Sequence, residues 1–281
     1  MWRENSDPRR FEGGSLVPVA TYLLTLAVLS GLLFVSPTDS PPPLLGMGWG
    51  IFLGALAVGA LVVEGVSPRS LLAPPRSLLL AVAGVVGFWA TYNLIAGGFA
   101  LVGTTGFELE GSRVAAHPGM YLAALGSSLL FTAIPEELMF RGYLQSKFVA
   151  LVGDRTRQRI TIGVVTAAAL FALFHLPRWV LVSGHGFGPA LVARLSGLVL
   201  SGIAYGFAFL LTRNIWLVAL FHATMNHPPF LLTIQYPPEL HFLVGVIEYT
   251  GLVAVAFVIG RATGPVGSVE AVSQRLSSSD D

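Results

Sequence analysis

The sequence places two adjacent carboxylates and an arginine in an otherwise apolar stretch, Phe131 to Arg141 (FTAIPEELMFR). Charges inside an apolar span are costly, and they are rare unless they serve a site or find partners. Glu137 and Arg141 are four residues apart, so they share one face of a helix and can pair. Glu136 is turned by about 100° from its neighbour and is therefore available to a second partner.

Two further segments carry polar groups in apolar surroundings, Phe171–His175 (FALFH) and His222–Asn226 (HATMN). Taken singly, each has an ordinary structural interpretation. His175 stands two residues before Pro177 and suits a membrane interface at a proline kink, while His222 and Asn226 share one helix face and suit a hydrogen bond between helices. Their joint occurrence with the paired carboxylates favours a functional site.

The chemistry that these residue types could perform together is hydrolysis. A carboxylate and an imidazole on either side of a water can act as general base and proton shuttle. A histidine and an asparagine amide on one helix face can donate hydrogen bonds to an oxyanion. Two histidines and a glutamate can instead bind zinc, although an HExxH pattern is absent. The chain has no cysteine, which excludes thiol catalysis and disulfides.

The composition is that of a membrane protein. Of the 281 residues, 54% are hydrophobic and 11% are charged, and the mean hydropathy is +0.73, whereas soluble domains carry roughly 25% charged residues. We therefore predict an all-α, polytopic helix bundle that faces lipid and has no nucleic-acid partner, since its arginines are spread among loops. Apolar runs long enough to cross a bilayer predict eight transmembrane helices, at about Leu16–Val35, Leu44–Val66, Leu78–Val102, Met120–Val152, Ile160–Val182, Leu191–Leu211, Ile215–Ile234 and Phe242–Ile259.

The basic residues predict the orientation of this bundle. If the N-terminus is cytoplasmic, 13 of the 16 lysines and arginines fall on the cytoplasmic side, as the positive-inside rule requires. This predicts an integral, multi-pass protein of the cell membrane with both termini cytoplasmic, and hence an even number of spans. Residues 16–263 would form a single bundle, between a cytoplasmic tail over residues 1–15 and a disordered, polar tail over residues 264–281.

Two acidic residues near or inside predicted spans lie outside the three motifs. Glu64 follows the second span, and we expect its carboxylate to reach the membrane interface. Glu248 lies within the last span, and we expect it to form a hydrogen bond in helix packing.

The EExxxR, FxxxH and HxxxN motifs, in this order on successive helices, resemble those of the CAAX-protease and bacteriocin-processing family, and especially its type II CAAX prenyl endopeptidases. The resemblance covers about residues 120–230, which would form the catalytic core. It implies an intramembrane endopeptidase in which Glu136 and His175 activate water, while His222 and Asn226 stabilise the oxyanion. The other motif residues are implied to support them: Glu137, Arg141 and Phe171.

The resemblance implies a substrate and leaves the question of metal open. The substrate would be a membrane-associated peptide or protein cut near its C-terminus, and it could carry a prenyl group. A metal-free mechanism is favoured. A histidine that binds a metal usually donates its other ring nitrogen to a carboxylate such as Glu137, and Arg141 competes for that carboxylate. The alternative is a zinc ion held by Glu136, His175 and His222.

Two other kinds of function fit the same residues. The family includes members that serve as immunity or scaffold proteins, so a catalytically silent membrane partner is one alternative. An ion or proton pathway built from intramembrane glutamate and histidine is the other, although the inverted repeats and broken helices typical of transporters are not visible in the sequence.

Overall fold

The computed structural model describes residues 11–37, 42–71, 75–153, 156–184 and 186–263. The predicted disordered tail over residues 264–281, and residues 1–10 of the predicted N-terminal tail, lie outside the described residues. Within these ranges the chain is helical apart from its connections and one small antiparallel sheet.

Ten helices and two strands are described. The helices are α1 (Leu16–Val35), α2 (Pro43–Val63), α3 (Pro75–Leu101), α4 (Arg113–Ala116), α5 (Pro118–Val152), α6 (Arg157–Phe174), α7 (Leu176–Leu181), α8 (Pro189–Thr212), α9 (Ile215–Asn226) and α10 (His241–Ala262). The strands are β1 (Phe107–Gly111) and β2 (Leu232–Ile234), which pair with each other. Short 3₁₀ turns lie at Pro68–Leu71 and Pro238–Leu240. Seven helical segments are long and apolar enough to span a membrane, with α6 and α7 forming one of them. The predicted all-α, polytopic bundle is confirmed.

The seventh predicted span, Ile215–Ile234, is wrong in its second half. Helix α9 ends at Asn226 after 12 residues, which at 1.5 Å per residue is about 18 Å and too short for a bilayer core of about 30 Å. Pro228 and Pro229 follow directly, and proline cannot continue a helix because it lacks the N–H and clashes with the preceding turn. The chain then continues in irregular conformation and joins the sheet as β2.

Both ends of the described chain lie at the same end of the bundle. The backbone N–H of Gly13, just before α1, donates to the Glu64 side chain after α2 at 2.8 Å. Near the other terminus, Ile259 of α10 packs against Gly84 in the first third of α3. This arrangement fits an even number of passages, with α9 and the segment after it serving as one. We call this end of the bundle the Glu64 end and the opposite one the sheet end.

Helix α5 is not a regular α-helix. It turns π-helical over Leu129–Ala133 and again over Leu138–Gln145, on both sides of the α-helical turn Ile134–Glu137. Such wide turns are rare and occur often at functional sites. The first of them is in tight contact with α2, where a Cβ added to Gly50 would collide with the Phe131 carbonyl group. The paired carboxylates thus lie between two irregular turns that are held by their neighbours.

A buried ion pair lies at the Glu64 end of the bundle. The expectation that the Glu64 carboxylate reaches the membrane interface is therefore wrong. Glu64 is fully buried and its Oε2 accepts a hydrogen bond from Lys147 Nζ at 2.7 Å. Its other oxygen accepts from the Tyr143 hydroxyl group at 3.2 Å. Lys147 is only 1% exposed, so the two charges neutralise each other inside the bundle. The predicted packing role of Glu248 is consistent with its position beside Tyr92.

Candidate active site

The three charged residues of the first motif are all buried. Glu136, Glu137 and Arg141 are 6%, 0% and 1% exposed. Arg141 Nη1 lies 3.1 Å from Glu137 Oε1, so the pair that the four-residue spacing predicts is present. The second Glu137 oxygen and Oε2 of Glu136 have no hydrogen-bond partner within the described part of the chain. Because buried polar atoms are nearly always paired, these two oxygens call for a functional explanation.

His222 lies between the two carboxylates. Its Nδ1 atom is 2.7 Å from Glu137 Oε1, a distance at which Nδ1–H donates to the carboxylate. Its Nε2 atom faces Glu136 Oε2 at 3.8 Å, which is too long for a direct hydrogen bond but short enough for a small ligand to contact both atoms. Glu137 therefore orients the imidazole, and the opposite side of the ring is directed toward Glu136.

Helix α8 holds Arg141 through a backbone carbonyl group. Arg141 Nη2 donates to the Gly202 oxygen at 3.4 Å, and one turn further Gln145 Nε2 donates to the Gly206 oxygen at 3.1 Å. These two glycines form a GxxxG pattern, which allows helices to approach closely. A Cβ at Gly202 would lie 2.9 Å from that of Ala168 in α6. The glycine is therefore required for the close packing of α8 against α6, in which its carbonyl group accepts from Arg141.

The Phe171 ring connects the three motifs. The Arg141 guanidinium lies over its face at 4.4 Å from the ring centroid, a cation–π contact. The rings of His175 and His222 meet Phe171 edge-on, with centroid distances of 4.9 and 6.0 Å. Phe171 is 2% exposed, so it supports both histidines with a buried apolar ring.

His175 lies at the junction of α6 and α7, where Pro177 breaks the helix. Its Nδ1 atom is 2.8 Å from the Phe171 carbonyl oxygen and donates to it, which leaves Nε2 as the acceptor of the neutral ring. The side chain is only partly buried. His175 is therefore oriented by its own helix, and it is the most accessible of the three ionisable motif residues that flank Phe171.

Tyr205 belongs to the site and was not identified from the sequence. Its ring stacks on His222, with centroids 5.4 Å apart and 17° between the planes. It also contacts the Arg141 guanidinium at 5.3 Å and is 2% exposed. The signal in the sequence was its position between Gly202 and Gly206, in the face of α8 that these glycines bring close to α5.

Asn226 is the last residue of α9, one turn beyond His222, and its side chain is exposed. Helix α9 is held at its start by Asn214, whose Oδ1 accepts from the backbone N–H groups of Trp216 and Leu217. Such a cap satisfies N–H groups that a helix start leaves unpaired. The position of Asn226 thus depends on what holds the chain immediately after it.

Asn93 of α3 holds the irregular segment that follows α9. Its Nδ2 donates to the carbonyl oxygens of Trp89 in its own helix, at 2.8 Å, and of Pro229, at 3.0 Å. Its Oδ1 accepts the backbone N–H of Leu231 at 2.7 Å. The side chain of an asparagine within an apolar span thereby gives backbone groups the hydrogen bonds that water would give them in a surface loop.

Ser112 and Tyr121 complete the hydrogen bonding of the same segment. The Ser112 hydroxyl donates to the Phe230 carbonyl group, and its backbone N–H donates to the Leu231 oxygen at 3.0 Å. The Tyr121 hydroxyl donates to the His227 oxygen at 3.1 Å. Irregular backbone at membrane depth is tolerated only where protein or water satisfies it, and here side chains from α3, α5 and the β1–α4 connection do so.

A comparison with known families matches this part of the chain. Residues 118–227 match the family model described as type II CAAX prenyl endopeptidase Rce1-like. This segment is similar to that family. It begins at the first residue of α5 and ends one residue after α9, so it contains every motif residue, and the resemblance expected from the three motifs is confirmed. No curated protein and no solved structure matches the chain.

The seven apolar helices and the match to a family of membrane proteins together support an integral membrane protein. The segment covers less than half of the chain. Helices α1, α2, α3 and α10 lie outside it, yet they contribute Gly50 and Asn93 to its support. The roles that the resemblance assigns to individual residues stay predictions.

The alternative zinc ligands do not form a metal cluster in the Rce1-like segment. Among the residues that the structure describes, no three histidine or acidic side chains are close enough to share a metal ion. His175 and His222 each contact the Phe171 ring, and Nδ1 of His222 is committed to Glu137. The arrangement of the described residues therefore does not fit the three-ligand zinc site.

Proposed function

We propose that this protein is an intramembrane endopeptidase that hydrolyses a peptide bond near the C-terminus of a membrane-associated peptide or protein. The substrate would be presented at the cytoplasmic face, with both termini of the enzyme on that side, and it could carry a prenyl group. The match to the Rce1-like family supports the reaction class. The observation that carries the proposal is the buried Glu136 Oε2, which has no hydrogen-bond partner among the described residues and lies beside His222.

In this proposal Glu136 acts as the general base. Its Oε2 takes a proton from a water molecule, and the water oxygen bonds to the carbonyl carbon of the substrate. The partly buried His175 assists from the other side of Phe171 by accepting or returning a proton at Nε2. When the C–N bond breaks, the leaving amine takes the proton from Glu136. No metal ion is part of this scheme.

His222 and Asn226 would stabilise the oxyanion that forms on the substrate. In its doubly protonated form the His222 ring donates from both nitrogens, from Nδ1 to Glu137 and from Nε2 toward the site. The Glu137–Arg141 pair fixes this orientation before substrate arrives. Preorganised donors of this kind are worth more than flexible ones, because they need no rearrangement during the reaction.

The test is cleavage of membrane peptides by the purified protein in lipid nanodiscs. Peptides with and without a lipid group near the C-terminus are incubated with wild type, Glu136→Gln and the matched control Glu248→Gln. We expect wild type and Glu248→Gln to cleave, Glu136→Gln to be inactive, and mass spectrometry to locate the cut near the C-terminus. Cleavage by Glu136→Gln at the wild-type rate would refute the role of Glu136. No cleavage of any peptide by wild type would favour the silent binding partner, or, if proton flux into vesicles is seen, the pathway.

A further inference from the structure

Tyr249 of α10 packs against the face of α8 that carries Tyr205. The two tyrosine rings meet edge-on, with centroids 5.8 Å apart and 88° between the planes. The Tyr249 hydroxyl group interacts with the hydroxyl groups of Tyr205 and Ser201, which are four residues apart and therefore share one helix face. Tyr205 and Ser201 are 2% and 5% exposed, and Tyr249 is half-buried. Three hydroxyl groups thus join α10 to a buried face of α8.

Tyr205 in turn contacts two charged or ionisable groups of the candidate site. Its ring is parallel to the His222 imidazole within 17°, at a centroid distance of 5.4 Å. The Arg141 guanidinium lies 5.3 Å from the centroid of the same ring. The Phe171 ring also contacts both groups, at 6.0 Å for the imidazole and 4.4 Å for the guanidinium. Tyr205 and Phe171 together therefore surround His222 and Arg141 with aromatic contacts.

The hydrogen bond to Glu137 does not by itself fix the direction of the His222 ring. It holds the imidazole at Nδ1 only, and a ring held at one atom can still pivot about that atom. The Nε2 atom faces Glu136 Oε2 at 3.8 Å, which is too long for a direct hydrogen bond that would hold the second end. Tyr205 prevents the pivot toward the face that it covers, because close-packed rings leave no space there. The direction of Nε2 thus depends on the position of Tyr205.

Tyr249 contacts the part of Tyr205 that would move most. A tyrosine side chain turns about two torsion angles, and its hydroxyl oxygen lies farthest from the backbone. That oxygen is the atom with which the Tyr249 hydroxyl group interacts. Tyr249 lies outside residues 118–227, which match the family model, so none of the three motifs includes it.

We propose that Tyr249 is a positioning residue for the reaction, which acts on His222 through Tyr205. The inference rests on the proposed function, since it takes His222 as a donor to the oxyanion. It adds a requirement for α10, a helix outside the segment that matches the family model. Donors that are held in place before the reaction are worth more than mobile ones. Loss of the Tyr249 hydroxyl group should therefore lower kcat and leave KM unchanged.

The first test observes His222 directly and requires no activity. Protein with isotopically labelled histidine is studied by NMR in lipid nanodiscs, and the His222 signal is identified by its absence in His222→Ala. We expect slow exchange of the wild-type Nδ1 proton with solvent, since it donates to a buried carboxylate. Tyr249→Phe should accelerate this exchange by about two- to tenfold, the effect of one hydrogen bond of usual strength. The matched control is Tyr22→Phe, which removes a hydroxyl group that donates to the Leu170 oxygen of α6 at 2.9 Å, and it should leave the exchange rate unchanged.

The second test is a double-mutant cycle on peptide cleavage with Tyr205→Phe and Tyr249→Phe. Each variant keeps its aromatic ring and loses one hydroxyl group, so each should lower kcat by about two- to tenfold. The double variant should be no slower than either single variant, because both remove the same interaction. Tyr205→Leu, which also removes the stacked ring, should lower kcat further, whereas Tyr22→Phe should have the wild-type kcat.

The outcomes separate this inference from the proposed function. An unchanged exchange rate of the His222 proton in Tyr249→Phe overturns the inference even if wild type cleaves peptides. If wild type cleaves no peptide, the proposed function fails, while faster exchange in Tyr249→Phe still establishes that Tyr249 positions His222. Additive losses in the cycle, or a loss of kcat no larger than that in Tyr22→Phe, would mean that the Tyr249 hydroxyl group contributes only to stability. Either of these results overturns the inference.

Discussion

Glu137 and His222, 85 residues apart in sequence, form a buried contact of 2.7 Å that joins the first and third motifs. The same Glu137 oxygen also receives Arg141 at 3.1 Å. Glu136, next to it in the chain, forms no hydrogen bond through Oε2 among the described residues. The contacts of the two neighbouring carboxylates thus differ, and the proposed function assigns Glu137 to hold the site together and Glu136 to react.

This difference predicts unequal effects on stability for two isosteric substitutions. Glu137→Gln leaves the Arg141 charge buried without its counter-charge, and breaking a buried pair typically costs about 3–5 kcal/mol. Glu136→Gln removes a poorly partnered buried charge, so we expect the free energy of unfolding to change by less than about 1 kcal/mol. Denaturant unfolding in detergent measures both. Equal destabilisation by the two variants would mean that Glu137 is not the structural member of the pair.

The metal question has a direct prediction. If catalysis is metal-free, purified protein carries no stoichiometric zinc, strong chelators leave its activity unchanged, and His222→Ala lowers turnover by about 10²–10³, the usual loss for one oxyanion donor. Elemental analysis and chelator titration are the measurements. Stoichiometric zinc that disappears together with activity in His175→Ala would establish the metalloprotease mechanism instead.

Asn93 is predicted to act on turnover through the position of Asn226. Asn93→Leu removes both hydrogen bonds to the segment after α9, and displacement of a catalytic group by about 1 Å can cost 10²-fold. We expect kcat to fall by at least about tenfold with KM little changed, in protein that keeps its helix content. The effect should disappear in the Asn226→Ala background, because a double-mutant cycle reports coupling of the two residues. Additive losses would show that Asn93 only contributes to stability.

The buried pair at the Glu64 end is predicted to be structural. Lys147→Met leaves Glu64 uncompensated and should cost about 3–5 kcal/mol of unfolding free energy, whereas the double variant Glu64→Leu with Lys147→Met should recover most of the loss. Activity of the double variant per folded molecule should equal that of wild type. A double variant as unstable as the single one would mean that the charges are needed for more than mutual neutralisation.

The even number of passages and the basic-residue distribution predict the topology. Reporter fusions at Asp281 and within the Phe107–Arg113 connection should report opposite sides of the membrane, with the former cytoplasmic. Both reporters on one side would contradict the eight-passage arrangement, and an Asp281 reporter on the non-cytoplasmic side would reverse the predicted orientation.

The features that were predictable from the sequence depend on local spacing. The Glu137–Arg141 pair follows from the four-residue repeat, and the apolar runs are visible in composition. The pairing of Glu64 with Lys147 joins residues 83 positions apart, and no pattern in a single sequence indicates it. The stacking of Tyr205 on His222 also joins different helices, and its one signal, the position of Tyr205 between Gly202 and Gly206, was not used.

The end of α9 and the role of Asn93 were not predicted, although the sequence contains a signal for each. Pro228 and Pro229 mark the end of α9, because the residue before a proline is disfavoured in a helix, but the apolar run across them suggested a longer span. Asn93 is a polar residue inside an apolar helix, the same kind of signal that pointed to the motifs. The π-helical turns of α5 had no signal, since periodicity arguments assume 3.6 residues per turn.

The wide turns of α5 also make the length of this helix matter as much as its composition. Glu137 at one side of the second π-helical segment contacts α9, while Lys147 beyond the segment contacts Glu64. Removing one residue from Leu138–Gln145 would rotate everything after it by about 100°, so these two contacts could not both form. A substitution in this segment alters one side chain, whereas a deletion would prevent the Glu137–His222 and Lys147–Glu64 contacts from forming together. We therefore expect this stretch to tolerate changes of residue type far better than changes of residue number.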